Sequence, residues 1–283
     1  MKLNFLTTII MIWGLAGCSG DGPVIWTDSY DISVMSFNLR YDTVEDGENQ
    51  WDNRKEACLK LIRETNPSIF GIQEGLDNQV AYLDDSLPEY SYVGVGRDDG
   101  ESSGEYSAIY YTKDQFELIE SQSFWLSATP EMPSLGWDAN NIRIVTWAHL
   151  KDLDHHKSIF IFNTHFDHKG KTAREESAKL LVEKIGEIAH EDAPVFVTGD
   201  FNALIGNAIM EPITEAFLNA RSTAEEADKK NSFNNWGNKL VSRNIDFIFY
   251  NHANALAYRT VTEDFGVPFV SDHYPLIAHF DYE

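Results

Sequence analysis

Cysteine is nearly absent from this chain, which has two, Cys18 and Cys58, among 283 residues. So few cysteines exclude a small fold held together by disulfides. The sequence also lacks any Pro-, Gly- or Ser-rich linker, internal repeat or low-complexity tract. Its hydrophobic content of 43%, with seventeen Phe, is ample for a large core. A single β-rich domain is therefore predicted.

Basic residues are also scarce, because 22 Lys and Arg stand against 45 Asp and Glu, for a formal net charge of −23. The basic residues that are present form no cluster along the sequence. Tight binding of a long polynucleotide normally needs clustered Lys and Arg. The acidity therefore disfavours nucleic acid as a partner, although a bound divalent cation can reverse the field locally.

The apolar run near the start of the chain, residues 5–16, is too short to span a bilayer and follows Lys2. This pattern is typical of a secretory signal. The sequence "LAGC" at residues 15–18 resembles the bacterial lipobox. That resemblance implies a signal peptide at residues 1–17, a lipid on Cys18, a tether over residues 18–30 and a folded domain over residues 31–283.

An ordinary signal peptide that is cleaved elsewhere is the alternative to the lipoprotein interpretation. As a lipoprotein, the protein would lie in the cell envelope, either in the periplasm or at the outer-membrane surface, and would meet the membrane through Cys18. Because the Cys18 sulfur would carry the lipid, Cys58 would be the one cysteine left with a free thiol, so no intramolecular disulfide could form. We expect a monomer.

Hydrophobic periodicity predicts helices at residues 53–67, 76–87, 171–190 and near 209–219. Short apolar runs joined by polar loops predict many strands before, between and after these helices. Runs of strands with helices grouped between them indicate sheets packed face to face with helices outside, an α/β (α+β) fold. A strictly alternating Rossmann or barrel pattern does not fit.

Polar residues recur where the apolar strands stop. Each alone has an ordinary explanation, such as a helix cap or a turn. Together they predict an oxygen-rich pocket, because carboxylates and amides are costly to bury without partners. Hard oxygen ligands suit Mg²⁺, Mn²⁺ or Ca²⁺, and such an ion beside a carboxylate suits the hydrolysis of a phosphate ester. The residues are Asn38, Glu74, His165 with Asp167, Asp200 with Asn202, Asp246, and Asp272 with His273.

The motifs "SFNLR", "GIQEG", "NTHFD", "TGDFN", "NIDFIF" and "SDHYPL", in this order, resemble the endonuclease/exonuclease/phosphatase superfamily. This superfamily includes deoxyribonucleases, repair nucleases, sphingomyelinases, inositol polyphosphate 5-phosphatases and deadenylases. The resemblance covers the chain from about residue 31 to residue 281, and "GDFN" followed far downstream by "SDH" is its most specific part. It implies a four-layer α/β/β/α sandwich of two mainly antiparallel sheets, with the site at one edge of the paired sheets.

The resemblance also implies a metal site. Glu74 would be the principal ligand, Asn38 would lie beside it, and Asp272 would approach the metal directly or through water. The implied cofactor is Mg²⁺, with Mn²⁺ and Ca²⁺ as the alternatives.

The same resemblance implies the catalytic roles. Asp200 would orient and deprotonate the attacking water, or protonate the leaving oxygen. Asn202 would donate to the phosphoryl oxygens as charge builds on them. His273 would contact a non-bridging oxygen, with Asp246 holding its ring and favouring the imidazolium. His165 matches the His of the deoxyribonuclease and sphingomyelinase branches, and would contact phosphate or protonate the leaving group.

Two further side chains are candidates for substrate binding. Arg143 could bind phosphate or form a surface salt bridge, and Asp167 could extend the site or belong to a polar turn. The loops at 97–105 and 221–242 could border the pocket, and Trp236 in the second loop could stack on the substrate or be buried.

Two departures from the family patterns narrow the activity. Repair nucleases have an acid two residues after the motif Asn, but Arg40 stands there in this chain, which disfavours a second metal and an apurinic-site activity. The signatures of inositide 5-phosphatases are absent, since "VTGDFNALI" and "SRNIDFIF" stand in their place.

The sequence therefore predicts a secreted, lipid-anchored, divalent-metal-dependent phosphoesterase that hydrolyses a phosphodiester or a phosphomonoester by direct attack of water. An extracellular nuclease and a sphingomyelinase-like phospholipase are the alternatives among enzymes. A non-catalytic surface-binding lipoprotein is the alternative outside them. Such a protein should have lost at least one of the five residues Glu74, Asp200, Asn202, Asp246 and His273, and all five are present.

Overall fold

The structure is a computed structural model that describes residues 29–283. Cys18 and nearly all of the predicted signal and tether lie outside the described residues. The helices are α1 Trp51–Thr65, α2 Asp77–Ser86, α3 Lys171–Ile188, α4 Glu211–Ala216 and α5 Ala220–Thr223. The first seven strands are β1 Ile32–Asn38, β2 Ile69–Gln73, β3 Tyr90–Val93, β4 Ile109–Thr112, β5 Phe116–Trp125, β6 Ile144–Asp152 and β7 Ser158–His165. The others are β8 Val195–Asp200, β9 Leu218–Asn219, β10 Glu226–Ala227, β11 Asp246–Asn251, β12 Ala253–Thr260 and β13 Leu276–Tyr282. None of the described helices has the length and apolar character that a bilayer-crossing segment requires.

These strands form two sheets. The first sheet has the order β10-β12-β13-β1-β2-β4-β3, and the second has the order β5-β6-β7-β8-β11-β9. Most neighbours pair antiparallel, while β1–β2, β7–β8 and β10–β12 pair in parallel.

Three layers of apolar side chains separate four layers of secondary structure. Side chains such as Val34 and Ile161 fill the space between the two sheets. Phe70 and Leu61 belong to the core between the first sheet and helices α1 and α2. Val197 and Leu181 belong to the core between the second sheet and helix α3. The predicted α/β/β/α sandwich of two mainly antiparallel sheets is therefore confirmed.

Helix α1 illustrates how local sequence sets the helix ends. Its apolar face, which includes Leu61 and Ile62, is buried. Asn66 then adopts the left-handed conformation with φ 43°, and its N–H donates to the Ile62 carbonyl. This is a common C-terminal cap, and the following Pro67 cannot continue the helix. The helices predicted at 53–67, 76–87 and 171–190 are all present with small shifts of their ends.

The helix predicted near residues 209–219 is wrong in extent. A single turn of 3-10 helix at Ala208–Met210 leads into the short helix α4, which ends at Ala216. Phe217 is extended, and Leu218–Asn219 pair with β11 at the edge of the second sheet. Strand pairing therefore overrides the local helical pattern at these residues.

Two parallel pairs place the candidate site at one edge of the sandwich. Strands β1 and β2 are joined through α1, and their register sets Asn38 opposite Gln73. Strands β7 and β8 are joined through α3, and their register sets His165 opposite Asp200. Because parallel strands end at the same side of a sheet, the polar residues that follow them come together. Antiparallel β11 begins at Asp246, directly opposite Asp200.

A buried polar network connects the two sheets beneath this edge. Gln73 Nε2 donates to Asn163 Oδ1 at 2.7 Å, and Thr198 Oγ1 donates to the same oxygen at 3.0 Å. Gly71 leaves the space for these side chains, because a Cβ there would lie 2.4 Å from Thr198 Oγ1. The network therefore fixes the spacing of the sheets directly below the site.

Candidate active site

A cavity of about 720 Å³ opens between the ends of the two sheets. Seven of the residues predicted from the sequence line it: Glu74, Arg143, His165, Asp200, Asn202, Asp272 and His273. Asn38 and Asp246 lie behind its wall, each hydrogen-bonded to a lining side chain. A larger, more apolar groove of about 970 Å³ shares Arg243 with this cavity but holds none of those seven side chains. We therefore take the smaller, polar cavity as the candidate site.

Asn38 connects the carboxylates of the two sheets. Its Nδ2 donates to Glu74 Oε1 and to Asp200 Oδ2, both at 3.1 Å, while its Oδ1 accepts from the Arg40 N–H. Glu74, just past β2, has φ 62°. A non-glycine residue in this region is strained, and such strain concentrates at functional sites.

Asp200, Asp246 and His273 form a buried, charged triplet. His273 Nδ1–H donates to Asp246 Oδ2 at 2.8 Å, and His273 Nε2 lies 3.7 Å from Asp200 Oδ2. Burial lowers the pKa of His273, but Asp246, Asp200 and Asp272 together outweigh it, and the pKa rises to about 10. Burial, and then the charge of Asp246, raise the pKa of Asp200 to about 7. His273 is therefore an imidazolium at neutral pH, beside a carboxyl that titrates near neutrality.

His165 and Asn202 form a second, neutral pair. Asn202 Nδ2 donates to His165 Nε2 at 3.1 Å and to the Phe166 carbonyl at 3.0 Å. The proton of the ring is therefore on Nδ1, which has no hydrogen-bond partner among the described residues. Burial, and then Arg143 and Arg97, hold the pKa of His165 well below its usual value, so the ring is neutral. In this arrangement Asn202 orients His165. The contact of Asn202 with phosphoryl oxygens stays a prediction.

The arrangement fits a divalent cation. Glu74, His165 and Asp200 each present a ligand atom, and these atoms lie within 4.8 Å of one another. Asp272 lines the same cavity, where burial, and then Glu74, raise the pKa of its carboxyl. Carboxylates crowded in this way repel one another, and a hard cation with oxygen ligands relieves that repulsion. Glu74, the predicted principal ligand, belongs to this group, while the assignment of Asn38 and Asp272 as further ligands stays a prediction.

The structure separates the two candidates for substrate binding. Arg143 lines the cavity and is 4% exposed. Asp167 does not line it, because its two carboxylate oxygens accept from the backbone N–H groups of Asn140, Asn141, Lys169 and Gly170. Burial opposes these bonds, which nevertheless lower the pKa of Asp167 to about 2. Asp167 organises the loop after β7 and lies 3.6 Å from Arg143 Nε.

Two arginines near the end of β1 have different roles. Arg40 forms two hydrogen bonds of 2.8 Å with Asp46 and lies 4.0 Å from Glu74, so a cation stands where repair nucleases have an acid. The buried Arg54 donates to the carbonyl oxygens of Asn49, Leu39, Arg40 and Val270. It therefore holds together the segments that follow Asn38 and precede Asp272.

Both predicted loops border the cavity. The carbonyl of Asp272 accepts from the N–H groups of Asn234 and Asn235, which ties the second loop to the site. The adjacent Trp236 has φ 55° and lines the cavity. From the first loop, Arg97 and Glu105 line the opposite part of the wall, and the sequence did not single them out. The one sequence feature that could have indicated them is a pair of opposite charges flanking a Gly- and Ser-rich turn. Such a pattern is common on protein surfaces and does not by itself indicate a site.

Several known proteins resemble this chain over most of its length. The model of the Endonuclease/Exonuclease/phosphatase family matches residues 35–273. A solved endonuclease/exonuclease/phosphatase from Bacteroides vulgatus is 37% identical and covers 90% of this chain and 100% of its own, with a TM-score of 0.85. A mannosyl-6-phosphatase of Bacteroides thetaiotaomicron is 33% identical over 89% of this chain and 100% of its own, with a TM-score of 0.83. An uncharacterised protein of Acanthamoeba polyphaga mimivirus is 27% identical over 252 residues, which are 82% of this chain and 92% of that protein.

Proposed function

The chain belongs to the endonuclease/exonuclease/phosphatase family of metal-dependent phosphoesterases and nucleases, and on that premise we propose that it is a secreted, lipid-anchored enzyme that hydrolyses a small phosphate ester by direct attack of water. The observation that carries the proposal is the convergence of Glu74, Asp200 and His273 in one polar cavity at the end of both sheets. Glu74 follows β2 of the first sheet, Asp200 ends β8 of the second sheet, and His273 lies in the loop before β13.

Asp200 is the proposed base. Its carboxyl has a pKa of about 7, so near neutral pH it can take a proton from a water molecule at the phosphorus. The backbone N–H of Asn202 and the side chain of Asn38 donate to separate oxygens of Asp200 and fix its orientation. No side chain needs to form a covalent intermediate in this mechanism.

The negative charge that develops on the phosphoryl oxygens is stabilised by fixed donors. His273 supplies an imidazolium whose Nδ1 is held by Asp246, which leaves Nε2–H for a non-bridging oxygen. His165 supplies the neutral Nδ1–H, and we assign it to the phosphate or the leaving oxygen. The side-chain amide of Asn202 donates to a phosphoryl oxygen when its hydrogen bond to His165 is replaced by one to the substrate.

Glu74, Asn38 and Asp272 would hold the metal. We propose Mg²⁺ as the ion, with Mn²⁺ and Ca²⁺ as the alternatives, because the donors are carboxylate and amide oxygens. When bound, a divalent cation neutralises phosphoryl charge and lowers the pKa of a water molecule.

A small ester is favoured over a polynucleotide. The net charge of −23 repels a polyanion, and the cavity of about 720 Å³ has the size of a small-molecule site. The likeness to a mannosyl-6-phosphatase at 33% identity makes sugar phosphates the first substrates to test. A phosphodiester and an extracellular nucleic acid are the other outcomes of that test.

We also propose that residues 1–17 are a signal, that Cys18 anchors a monomeric domain spanning residues 31–283 through the tether at 18–30, and that the protein lies in the cell envelope. The support is the sequence "LAGC" at residues 15–18. Metabolic labelling with a radioactive fatty acid should label the wild type and leave Cys18→Ser unlabelled. Equal labelling of both would remove the anchor from the proposal.

The activity is tested with a panel of esters and metals. The purified protein is treated with EDTA and assayed with Mg²⁺, Mn²⁺ or Ca²⁺ on p-nitrophenyl phosphate, hexose 6-phosphates, bis-p-nitrophenyl phosphate, sphingomyelin, DNA and RNA. We expect no turnover without metal, restoration by Mg²⁺ or Mn²⁺, and the highest kcat/KM on a phosphomonoester. Preferred cleavage of DNA or RNA would identify a nuclease, and absence of turnover on every ester would contradict a hydrolase.

A further inference from the structure

One part of the cavity wall has no role in the chemistry proposed above. It consists of Arg97, Glu105 and Arg143, and we call it the Glu105 subsite. We propose that the Glu105 subsite binds hydroxyl groups of the alcohol to which the phosphate is esterified, so that the enzyme selects phosphate esters of polyols such as sugars. The proposal rests on the function proposed above and names its substrate class.

The contacts in the subsite converge on one oxygen. Arg97 Nη1 donates to Glu105 Oε2, while Arg143 Nη1 lies 3.9 Å and His165 Nδ1 lies 3.8 Å from that oxygen. Among residues 29–283, no hydrogen bond or ion pair reaches Glu105 Oε1. One carboxylate oxygen is therefore available to accept a hydrogen bond from a ligand.

The arginines retain unused donors. Arg97 is 9% and Arg143 is 4% exposed, yet Arg97 Nε and both Nε and Nη1 of Arg143 have no hydrogen-bond partner within the described part of the chain. A buried donor without a partner is costly. A ligand that offers acceptor oxygens would lower that cost by drawing the two side chains into hydrogen bonds.

The charges of the subsite favour a neutral ligand over a second anion. Arg97 lies 3.8 Å from Asp98, Arg143 lies 3.6 Å from Asp167, and both face Glu105. The two guanidinium charges are therefore already balanced by carboxylates, and a second phosphate would meet Glu105 as a like charge. A hydroxyl group both donates and accepts, so it can bond to a carboxylate and a guanidinium together.

The subsite lies next to the reacting atoms. Glu105 faces Nδ1 of His165, and Nε2 of the same ring lies 3.6 Å from Asp200 Oδ2. One imidazole therefore separates the carboxylate of Glu105 from the proposed base. A phosphate beside Asp200 would leave its alcohol within reach of Glu105.

The loop that carries the subsite is already shaped. The Arg97 N–H donates to the Glu105 carbonyl at 3.2 Å, and Trp125 Nε1 donates to the Arg97 carbonyl at 2.7 Å. At Gly104, φ is 84° and a Cβ would lie 2.6 Å from Asp98. A loop held in this way loses little conformational freedom when a ligand binds.

The test compares two substrates that carry the same reactive group, a phosphate monoester, on different alcohols. We would measure kcat/KM for mannose 6-phosphate and for ethyl phosphate, which has no hydroxyl on its alcohol, in the wild type, Glu105→Gln and Arg97→Lys. The ratio of the two values should fall by about 10- to 100-fold in each variant, the size of one hydrogen bond to a charged group. Glu101→Gln, an exposed acid in the same loop, is the matched control and should leave the ratio unchanged.

A calorimetric measurement gives the same comparison without turnover. In the Asp200→Asn background with Mg²⁺, Glu105→Gln should weaken binding of mannose 6-phosphate about 10-fold more than binding of ethyl phosphate. Equal losses for both ligands, or no loss for either, would overturn the subsite. Turnover of ethyl phosphate by the wild type tests the hydrolase separately, so failure of the two proposals can be distinguished.

Discussion

Asp200 is held by the protein in an environment that disfavours its charge. It is 2% exposed and lies opposite Asp246, and its pKa of about 7 reflects burial and then that neighbour. Such an environment stabilises the protonated carboxyl of the metal-free protein and destabilises the ionised form that acts as a base. Activity and stability therefore place opposite demands on this residue.

Asp200→Asn should abolish most activity and stabilise the metal-free fold. The folded-state pKa of about 7 lies above the ordinary value of 3.8, so stability is lost from this group as pH rises between those two values. The variant has no carboxyl to ionise at this position, so it does not lose this stability. Above pH 7 and after EDTA treatment, its melting temperature should exceed that of the wild type by about 2–4 °C for each kcal/mol of destabilisation removed. Its kcat should fall by at least about 100-fold.

Calorimetric melts at pH 5 and pH 8 check this prediction, since the difference between the two proteins should grow with pH. Mg²⁺ should raise the melting temperature of the wild type and narrow the gap, because the ion binds the folded state. A metal-free wild type more stable than Asp200→Asn at pH 8 would contradict the assigned environment.

Asn202 combines a strained backbone with a functional side chain. Its φ is 48°, a region that glycine adopts freely and that alanine disfavours. Asn202→Ala and Asn202→Gly both remove the amide that orients His165, so both should lose activity to the same extent. Asn202→Ala should be less stable than Asn202→Gly by about 1 kcal/mol, measured by urea unfolding. Equal stability of the two variants would show that the backbone is not strained there.

At the scale of elements, Arg54 couples helix α1 to the site. Its buried guanidinium satisfies carbonyl oxygens on both sides of the cavity floor, at Arg40 and Val270. Arg54→Met would leave these oxygens without donors and should lower the free energy of unfolding by about 3 kcal/mol or more. Because Asn38 and Asp272 adjoin these segments, apparent affinity for Mg²⁺ should fall as well.

The matched control is Arg63→Met on the same helix. Arg63 is exposed and donates to the Ser86 carbonyl, so its loss should change stability by less than about 0.5 kcal/mol. Equal effects of the two substitutions in urea melts would refute the structural role of Arg54.

The elements that were predictable from sequence are those whose signal is local. Helices α1 and α3 have an uninterrupted apolar period, and the acids and amides at strand ends follow buried runs. The segment at 209–219 was not predictable, because the pairing of Leu218 with β11 is a tertiary contact. Arg97 and Glu105 were missed for a similar reason: a turn, which has no period, brings them to residues 143 and 165.

At the scale of the whole molecule, the spacing of the two sheets is set at Gly71. A methyl group there would lie 2.4 Å from Thr198 Oγ1 and 2.6 Å from Asn163, both buried on the opposite sheet. Gly71→Ala should therefore force the sheets apart or displace the polar network, and destabilise the protein by about 1–3 kcal/mol. Because metal ligands and the base come from different sheets, kcat should fall as well.

Gly186→Ala provides the control within helix α3. A Cβ at Gly186 has nothing within 4 Å, and alanine in a helix interior is favoured over glycine by about 1 kcal/mol. This variant should melt at a higher temperature with unchanged kcat. A stabilising effect of Gly71→Ala would contradict the close approach of the sheets.

The pairing of β1 with β13 brings the beginning and the end of the described chain together beside the site. Ser271 Oγ donates to the Asn38 carbonyl at 2.7 Å across 233 positions of the sequence, and β13 pairs with β1 in the interior of the first sheet. A ribosome that has reached residue 270 has made Glu74, Asp200 and Asp246, but neither Asp272, His273 nor the strand that joins β12 to β1. The growing chain therefore lacks Asp272 and His273 until residues 271–282 have been made, and the cavity between the sheets is complete only after β13 has paired with both β1 and β12.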